Sequence, residues 1–260
     1  PPWRLLATVN DARRSRLGPP EVGVAAMAFS PTQGLLASAH QDGFVRIWET
    51  HPPTLVRTLG TGRSAWRDVV FSPDGKRIAG ATENRVFSWD AGEGALIFQR
   101  NGIETSRGTQ LVIRSIKVTG NLAFSPTGNR LSVCAGNAVL VLDAQTGLLV
   151  RHVSNPRKTE SFHSLCCLPD GELIVAAEDE QKRRQFLYGW RPLASEWTFR
   201  KRLPSLATAI VPNRDGSRLA MRFRNHDVRI VARALLESPK VFAVHDLPVL
   251  GRRSVSSLCY

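Results

Sequence analysis

Short apolar runs broken by polar turns recur along this chain, and the stretch from Val69 to Asp90, VVFSPDGKRIAGATENRVFSWD, shows the unit most plainly. VVFS is apolar and β-prone, PDG is a turn, and KRIAGAT is a second strand. EN is a tight turn, and RVFSW is a third strand that ends in Trp89 before Asp90. The same arrangement appears at Val24 to Glu49, Asn121 to Asp143, Ser164 to Trp190 and Thr208 to Val231, and it weakens toward the last copy. Strands such as VAAMAF and LIVAA lack polar alternation. They therefore predict sheets covered on both faces.

The spacing of the copies predicts the architecture. The turn glycines Gly34, Gly75, Gly128, Gly171 and Gly216 are separated by 41, 53, 43 and 45 residues. Trp48, Trp89, Leu142, Trp190 and Val231, at the ends of the third strands, keep nearly the same step. A period of about 40–45 residues with several strands each is that of a propeller blade. With its FSP turns at Phe29, Phe71 and Phe124 and its LLASAHQDGFVRIWE from Leu35 to Glu49, the chain resembles the WD-repeat β-propeller family. The expected fold class is all-β, a β-propeller of four-stranded antiparallel blades. Five blades are expected at about 22–59, 66–99, 118–153, 162–203 and 206–247, with orphan strands at 3–9 and 254–260. Arg100 to Lys117 is an insertion whose LVIRSIKV extends a strand. Because propellers close into rings, the partial repeats at both ends predict a single domain that is a piece of a six- or seven-bladed ring.

The resemblance implies a structural hydrogen-bonded network in the first blade, with Ser38, Asp42 and Trp48 at its positions. The histidine of that network, normally in a Gly-His pair ahead of the first strand, is missing, since Val24 follows Gly23. Trp48, Trp89 and Trp190 recur at one position of the repeat, as core residues do.

Composition narrows the functional classes. A chain of 260 residues with 42% hydrophobic and 22% charged residues can bury a core and is not of the disordered class. All-β folds of this length are routinely one domain. No apolar run reaches the ~18 residues of a membrane span, and the N-terminus lacks the apolar core of a secretory signal. A cytoplasmic location is expected. Cys134, Cys166, Cys167 and Cys259 fall on predicted strands without metal-ligand spacing and read as buried free thiols.

Catalytic patterns are absent. There is no nucleophile elbow, phosphate-binding P-loop, zinc-protease helix, calcium loop or kinase motif, and Gly60 to Ser64 is only a glycine-containing turn. His152, His163, His226 and His245 are scattered, and Glu178, Asp179 and Glu180 are neutralised by Lys182, Arg183 and Arg184. No cofactor or metal is predicted. The first strands read VAAMAFS, DVVFS, NLAFS, SLCCL and ATAIV, mostly apolar, which disfavours a propeller hydrolase or lyase.

The net charge of +13 has a place to act. Connections between blades and hairpins between second and third strands emerge on one face of such propellers. Here the connections carry Arg13, Arg14 and Arg16; Arg63 and Arg67; Arg107, Arg114 and Lys117; Arg157 and Lys158; Arg200, Lys201 and Arg202; Arg252 and Arg253. With Trp66 as the exposed aromatic among them, Arg63, Arg67, Arg114, Lys117, Arg157, Lys158, Arg200, Lys201, Arg202, Arg252 and Arg253 are the candidate partner-binding residues. The expected function is a non-catalytic protein-interaction scaffold whose loop faces bind partners, acidic or phosphorylated ones among them. A nucleic acid partner has little support, because base-stacking aromatics are lacking. The alternative is a regulatory or sensor module of a larger protein whose catalytic domain lies elsewhere.

Overall fold

The computed structural model describes residues 23–107, 110–115, 117–179, 181–192, 196–225 and 227–237. Blade one is an antiparallel meander of β1 (Val24–Phe29), β2 (Leu35–His40), β3 (Phe44–Thr50) and β4 (Pro53–Gly60). Blade two has β5 (Trp66–Phe71), β6 (Arg77–Thr82), β7 (Val86–Asp90) and β8 (Leu96–Arg100). Next comes a two-stranded ribbon of β9 (Gly102–Arg107) and β10 (Gln110–Ser115), which pair with each other. The insertion is thus a hairpin of its own and extends no blade strand. Blade three has β11 (Val118–Phe124), β12 (Arg130–Ala135), β13 (Ala138–Asp143) and β14 (Leu149–Ser154). Blade four has β15 (Glu160–Cys167), β16 (Leu173–Asp179), β17 (Arg184–Arg191) and β18 (Glu196–Leu203). Blade five has three strands among the described residues, β19 (Ala207–Pro212), β20 (Arg218–Phe223) and β21 (Val228–Ala232), followed by the one-turn helix α1 (Arg233–Glu237). The fourth strand expected near 240–247 and both orphan strands lie outside the described residues.

The apolar content of both sheet faces explains the propeller. Among the described residues four separate cores form, each between consecutive blades. Val45, Ile47 and Leu59 of blade one meet Val69, Phe71 and Trp89 of blade two. Ala79 and Phe98 of blade two meet Leu122 and Leu131 of blade three. Val139 and Val153 of blade three meet Phe162 and Trp190 of blade four. Ile174 and Leu187 of blade four meet Ile210, Leu219 and Val231 of blade five. Trp48, Trp89 and Trp190 are 6%, 4% and 3% exposed, so the recurrent tryptophan is core in each blade that has it.

Each first strand packs on the first strand of the next blade, β1 on β5, β5 on β11, β11 on β15 and β15 on β19. These strands therefore line the hub. Polar side chains lock the seams between blades. Arg57 of β4 donates to the carbonyls of Ala91 and Gly92 in the β7–β8 turn. Arg100 of β8 does the same to Thr146 and Gly147 in the β13–β14 turn. Arg233 of α1 reaches back from blade five to Asp170 and Glu172, at 2.7 and 2.6 Å.

The turns joining first to second strands form the lower face. In blade two the Ser72 hydroxyl accepts the Arg77 amide, while Gly75 closes the turn at φ +70°. The corresponding Gly128, Gly171 and Gly216 also have positive φ, which glycine adopts without a Cβ penalty. Gly34 does not share that geometry: in the first turn, SPTQG, which has the same length, the glycine sits one position later, and Gly34 offers its carbonyl to the Thr50 amide as Lys76 does to that of Ala91.

Every described outer strand carries a bulge at the same place. The register slips between Ile47 and Trp48, Ser88 and Trp89, Val141 and Leu142, and Gly189 and Trp190. The extra residues on the outer strands are Val56, Ile97, Val150 and Thr198. The slip turns the first three outward, which is why they are 45%, 37% and 48% exposed. A bulged edge is a poor template for pairing with another sheet.

A close backbone approach lies between blades three and four. A Cβ on Gly120 would sit 2.0 Å from the carbonyl oxygen of His163. The neighbouring Thr119 hydroxyl donates to the Phe162 carbonyl at 2.6 Å, fixing the two strands at this separation. Gly120→Ala is expected to destabilise the protein by about 1–3 kcal/mol through overpacking, read as a lowered urea midpoint. An unchanged midpoint would show that the seam yields.

Candidate functional site

The first strands converge on a cavity of about 430 Å³ at the hub, lined from all five blades. One structural device supplies nearly half of its wall. Each first strand bulges against its second strand near its upper end. The residues left over are Ala25, Arg67, Thr119 to Asn121, His163 and Thr208. All of them line the cavity. A bulge re-aims a side chain out of the ladder, so the hub lining is polar although the strands that build it are mostly apolar.

The first strands also start earlier than their apolar cores suggest. β5 begins at Trp66, β11 at Val118 and β15 at Glu160, ahead of DVVFS, NLAFS and SLCCL. The residues added by this correction include Arg67 and His163, both in the hub wall. Arg222 and Arg224 join them from the upper end of β20 and just beyond it. Arg222 donates through Nε to the Thr208 hydroxyl at 3.0 Å, and burial pushes its guanidinium pKa below the ordinary value. Arg224 makes two hydrogen bonds to Glu178, at 3.0 and 3.2 Å, and Arg67 faces Glu83 at 3.6 Å.

Asp68 is the carboxylate of this wall. It is 6% exposed and accepts the Leu122 amide at 2.7 Å, tying blade two to blade three. Burial raises its pKa to about 6, against the lowering effect of hydrogen bonds from Leu122, Val69 and Asn121.

Around the hub, the upper face carries the hairpins between second and third strands and the connections between blades. Arg63, Lys117, Arg157, Lys158 and Arg202 are exposed there and form no ion pair among the described residues. The lower face is balanced by contrast. Its turns hold Asp74, Asp90, Asp143, Asp170 and Asp215 beside Lys76, Arg77, Arg130 and Arg218. A second hollow of about 550 Å³ lies on the upper side of blade two, walled by Ser64, Arg67, Glu83, Asn84 and Arg85.

Two of the expected partner-binding residues belong to the framework instead. Trp66 is 4% exposed. Its ring packs edge-on against Phe87 and Trp89, at 5.0 and 5.4 Å between centroids. Gly80 makes room for it, since a Cβ there would sit 3.1 Å from the indole. Arg200 lies on β18, with its guanidinium 3.3 Å above the Phe186 ring. It bonds Glu160 at 2.5 Å and the Tyr188 hydroxyl at 2.7 Å, and Tyr188 in turn donates to Glu160. Glu160 is buried, so Arg200 neutralises a charge that would otherwise be costly. Burial and the bond to Glu160 push the Tyr188 pKa up to about 12. Lys201 is half-buried beside it on β18. Arg114 lies on β10, and Arg252 and Arg253 lie outside the described residues with Arg13, Arg14 and Arg16.

The network of blade one is present in altered form. Trp48 Nε1 donates to the Ser38 hydroxyl at 2.8 Å, and that hydroxyl lies 2.8 Å from His40 Nε2. His40, from β2 itself, thus provides the imidazole that the sequence pattern lacked ahead of β1. Asp42 holds Arg46 at 2.7 Å. Burial works against its carboxylate, but the bonds from Arg46 and the Phe44 amide outweigh it and keep the pKa below the usual range.

Cys134, Cys166 and Cys167 are free thiols, and burial raises the pKa of each, that of Cys167 to about 12. No group of three or more metal-ligating side chains occurs among the described residues, and no described helix is long and apolar enough to cross a membrane. The hub offers guanidinium groups, hydroxyls and amides, a set suited to holding an anion.

Comparisons with known proteins agree with the repeat. A family model described as WD domain, G-beta repeat matches residues 14–49. The chain is 29% identical over 145 residues to Protein groucho of Drosophila melanogaster, covering 55% of this chain and 17% of that protein. It is 28% identical over 89 residues to Autophagy-related protein 16 of Arabidopsis thaliana, covering 34% of this chain and 18% of that protein. The chain thus spans less than a fifth of the length of either.

Asp68 makes stability depend on pH in a defined direction. Its folded pKa of about 6 lies above the ordinary 3.8, so folding favours the protonated form. The resulting stabilisation is fully present below the unfolded value and is lost as pH rises through about 6. It amounts to about 3 kcal/mol. The urea midpoint should rise between pH 7.5 and pH 5, and Asp68→Asn should flatten that rise. A variant that keeps the full pH dependence would place its origin elsewhere.

Proposed function

We propose, from the premise that the chain is a WD-repeat β-propeller, that it is a non-catalytic scaffold whose upper face binds acidic or phosphorylated segments of protein partners. The observation that carries this reading is the difference between the two faces. The upper face holds five exposed cations that form no ion pair among the described residues, beside the paired Arg67–Glu83 and Arg224–Glu178, whereas the lower turns alternate the two signs. A surface with an excess of one sign attracts its opposite over a Debye length and sets orientation and encounter rate more than affinity.

Support comes also from the rigidity of the platform. Blades locked by Arg57, Arg100 and Arg233 hold the loops at fixed separations. A second reading is a regulatory or sensor module of a larger polypeptide. It draws on the small share of each relative that this chain matches.

Binding to heparin and to an acidic peptide, measured across a salt series, tests the first reading. Affinity should fall steadily as salt rises. The double variant Arg157→Ser, Lys158→Ser should weaken it several-fold with the melting temperature unchanged, since both residues are exposed. Absence of binding even at low salt would dismiss the patch.

A further inference from the structure

We propose that the upper end of the hub cavity is a phosphate-monoester site, in which Arg67, Arg222 and Arg224 close around the phosphate from three directions. The site deepens the reading of the upper face as the binding face, but it rests on different residues from the exposed rim.

The three arginines come from separate elements, the bulge of β5, the end of β20 and the loop beyond it, yet all three belong to the wall of one cavity. Hydroxyl and amide groups of Thr119, Asn121 and Thr208 stand in the same wall. A tetrahedral dianion with three acceptor oxygens fits several forks at once, whereas a carboxylate offers one planar pair of oxygens. The volume of about 430 Å³ admits a phosphate with its ester group.

The acidic groups nearby do not block such a ligand. Asp68 accepts the Leu122 amide in the seam between blades, where its oxygen is committed. Glu83 and Glu178 are not part of the cavity wall. They face Arg67 and Arg224, whose side chains are 45% and 58% exposed and can turn toward a stronger partner. Arg222 is the deepest of the three, and an anion beside it would offset the cost of its burial.

The phosphate could be that of a free ester or of a phosphorylated side chain, and titration calorimetry separates these sources. Free phosphoserine, a phosphoserine peptide and the same peptide with plain serine are titrated into the whole chain at low salt. The phosphorylated peptide should bind at least about tenfold more tightly than the plain one. Arg222→Gln and, separately, Arg67→Gln should remove most of that preference, while Arg214→Gln on the lower face should leave it intact. Arg67 is exposed, so its variant reads the site even if Arg222→Gln impairs folding. Asp68→Asn, by taking away an opposing charge, should tighten binding. Phosphoserine alone binding as well as the peptide assigns a free ester; a tighter peptide assigns a partner segment. Equal binding of the two peptides, or a preference untouched by both arginine variants, overturns the site. Loss of heparin binding with phosphoserine binding retained would sink the rim reading alone.

Discussion

A sheet that is apolar on both faces has to be covered twice, and in this chain that requirement decides the rest. Each blade meets one neighbour through one face of its sheet and the next through the opposite face. The four cores are therefore seams between blades, not interiors of blades. Sheets stacked in this way around an axis crowd their first strands together. At Gly120 the crowding leaves no space for a methyl group. Strands so close at the hub cannot all point bulky side chains inward, and the bulges relieve the crowding by taking one residue, or three in β11, out of the ladder. The cavity and its polar lining are thus products of the same packing that holds the blades together.

The repeated backbone tolerates different chemistry at equivalent points. Opposite the second strand, at the position of Arg46, stand Phe87, Leu140, Tyr188 and Arg229 in the later blades. Blade one satisfies this region with Trp48, Ser38 and His40. Blade two replaces the polar contacts with the aromatic group of Trp66, Phe87 and Trp89 over Gly80. Blade three is aliphatic. Blade four buries Glu160 and neutralises it with Arg200 through Tyr188. Blade five pairs Asp227 with Arg229, as blade one pairs Asp42 with Arg46. Hydrophobic burial between blades is common to all five, whereas the hydrogen-bonded network is one local solution among several. This accounts for a repeat that fades in sequence while its sheets persist.

Much of the fold was legible in the residues because turns and strand ends have local causes. Proline and glycine set the lower turns, and the tryptophan steps gave the period. The bulges were not legible. A bulge depends on which partner residue each amide finds, and Arg67 or His163 looks like any polar residue at a strand start. Trp66 misled for a related reason. It follows an exposed loop in sequence, but Gly80, fourteen positions later, removes the side chain that would have kept it out. Arg200 misled because its carboxylate partner, Glu160, lies forty residues away. The basic connections were visible as composition, while their contrast with the balanced lower face needed the blade topology to sort residues by face.

The hub and the rim differ in how charge is held there, and that difference separates their roles. Rim cations such as Arg157 and Lys158 are solvated, so they act at a distance and weaken in salt. Arg222 is partly desolvated, which costs free energy in the unliganded protein and is reflected in its depressed pKa. A charge held at such a cost gains more from an incoming anion than a solvated one does, because less water has to be displaced. The rim is thus suited to bringing an acidic segment to the upper face, and the hub to discriminating among what arrives. Nothing in this division requires the propeller to move, since the bulge of β5, the end of β20 and the residue just beyond it already bring three arginines to the wall of one cavity.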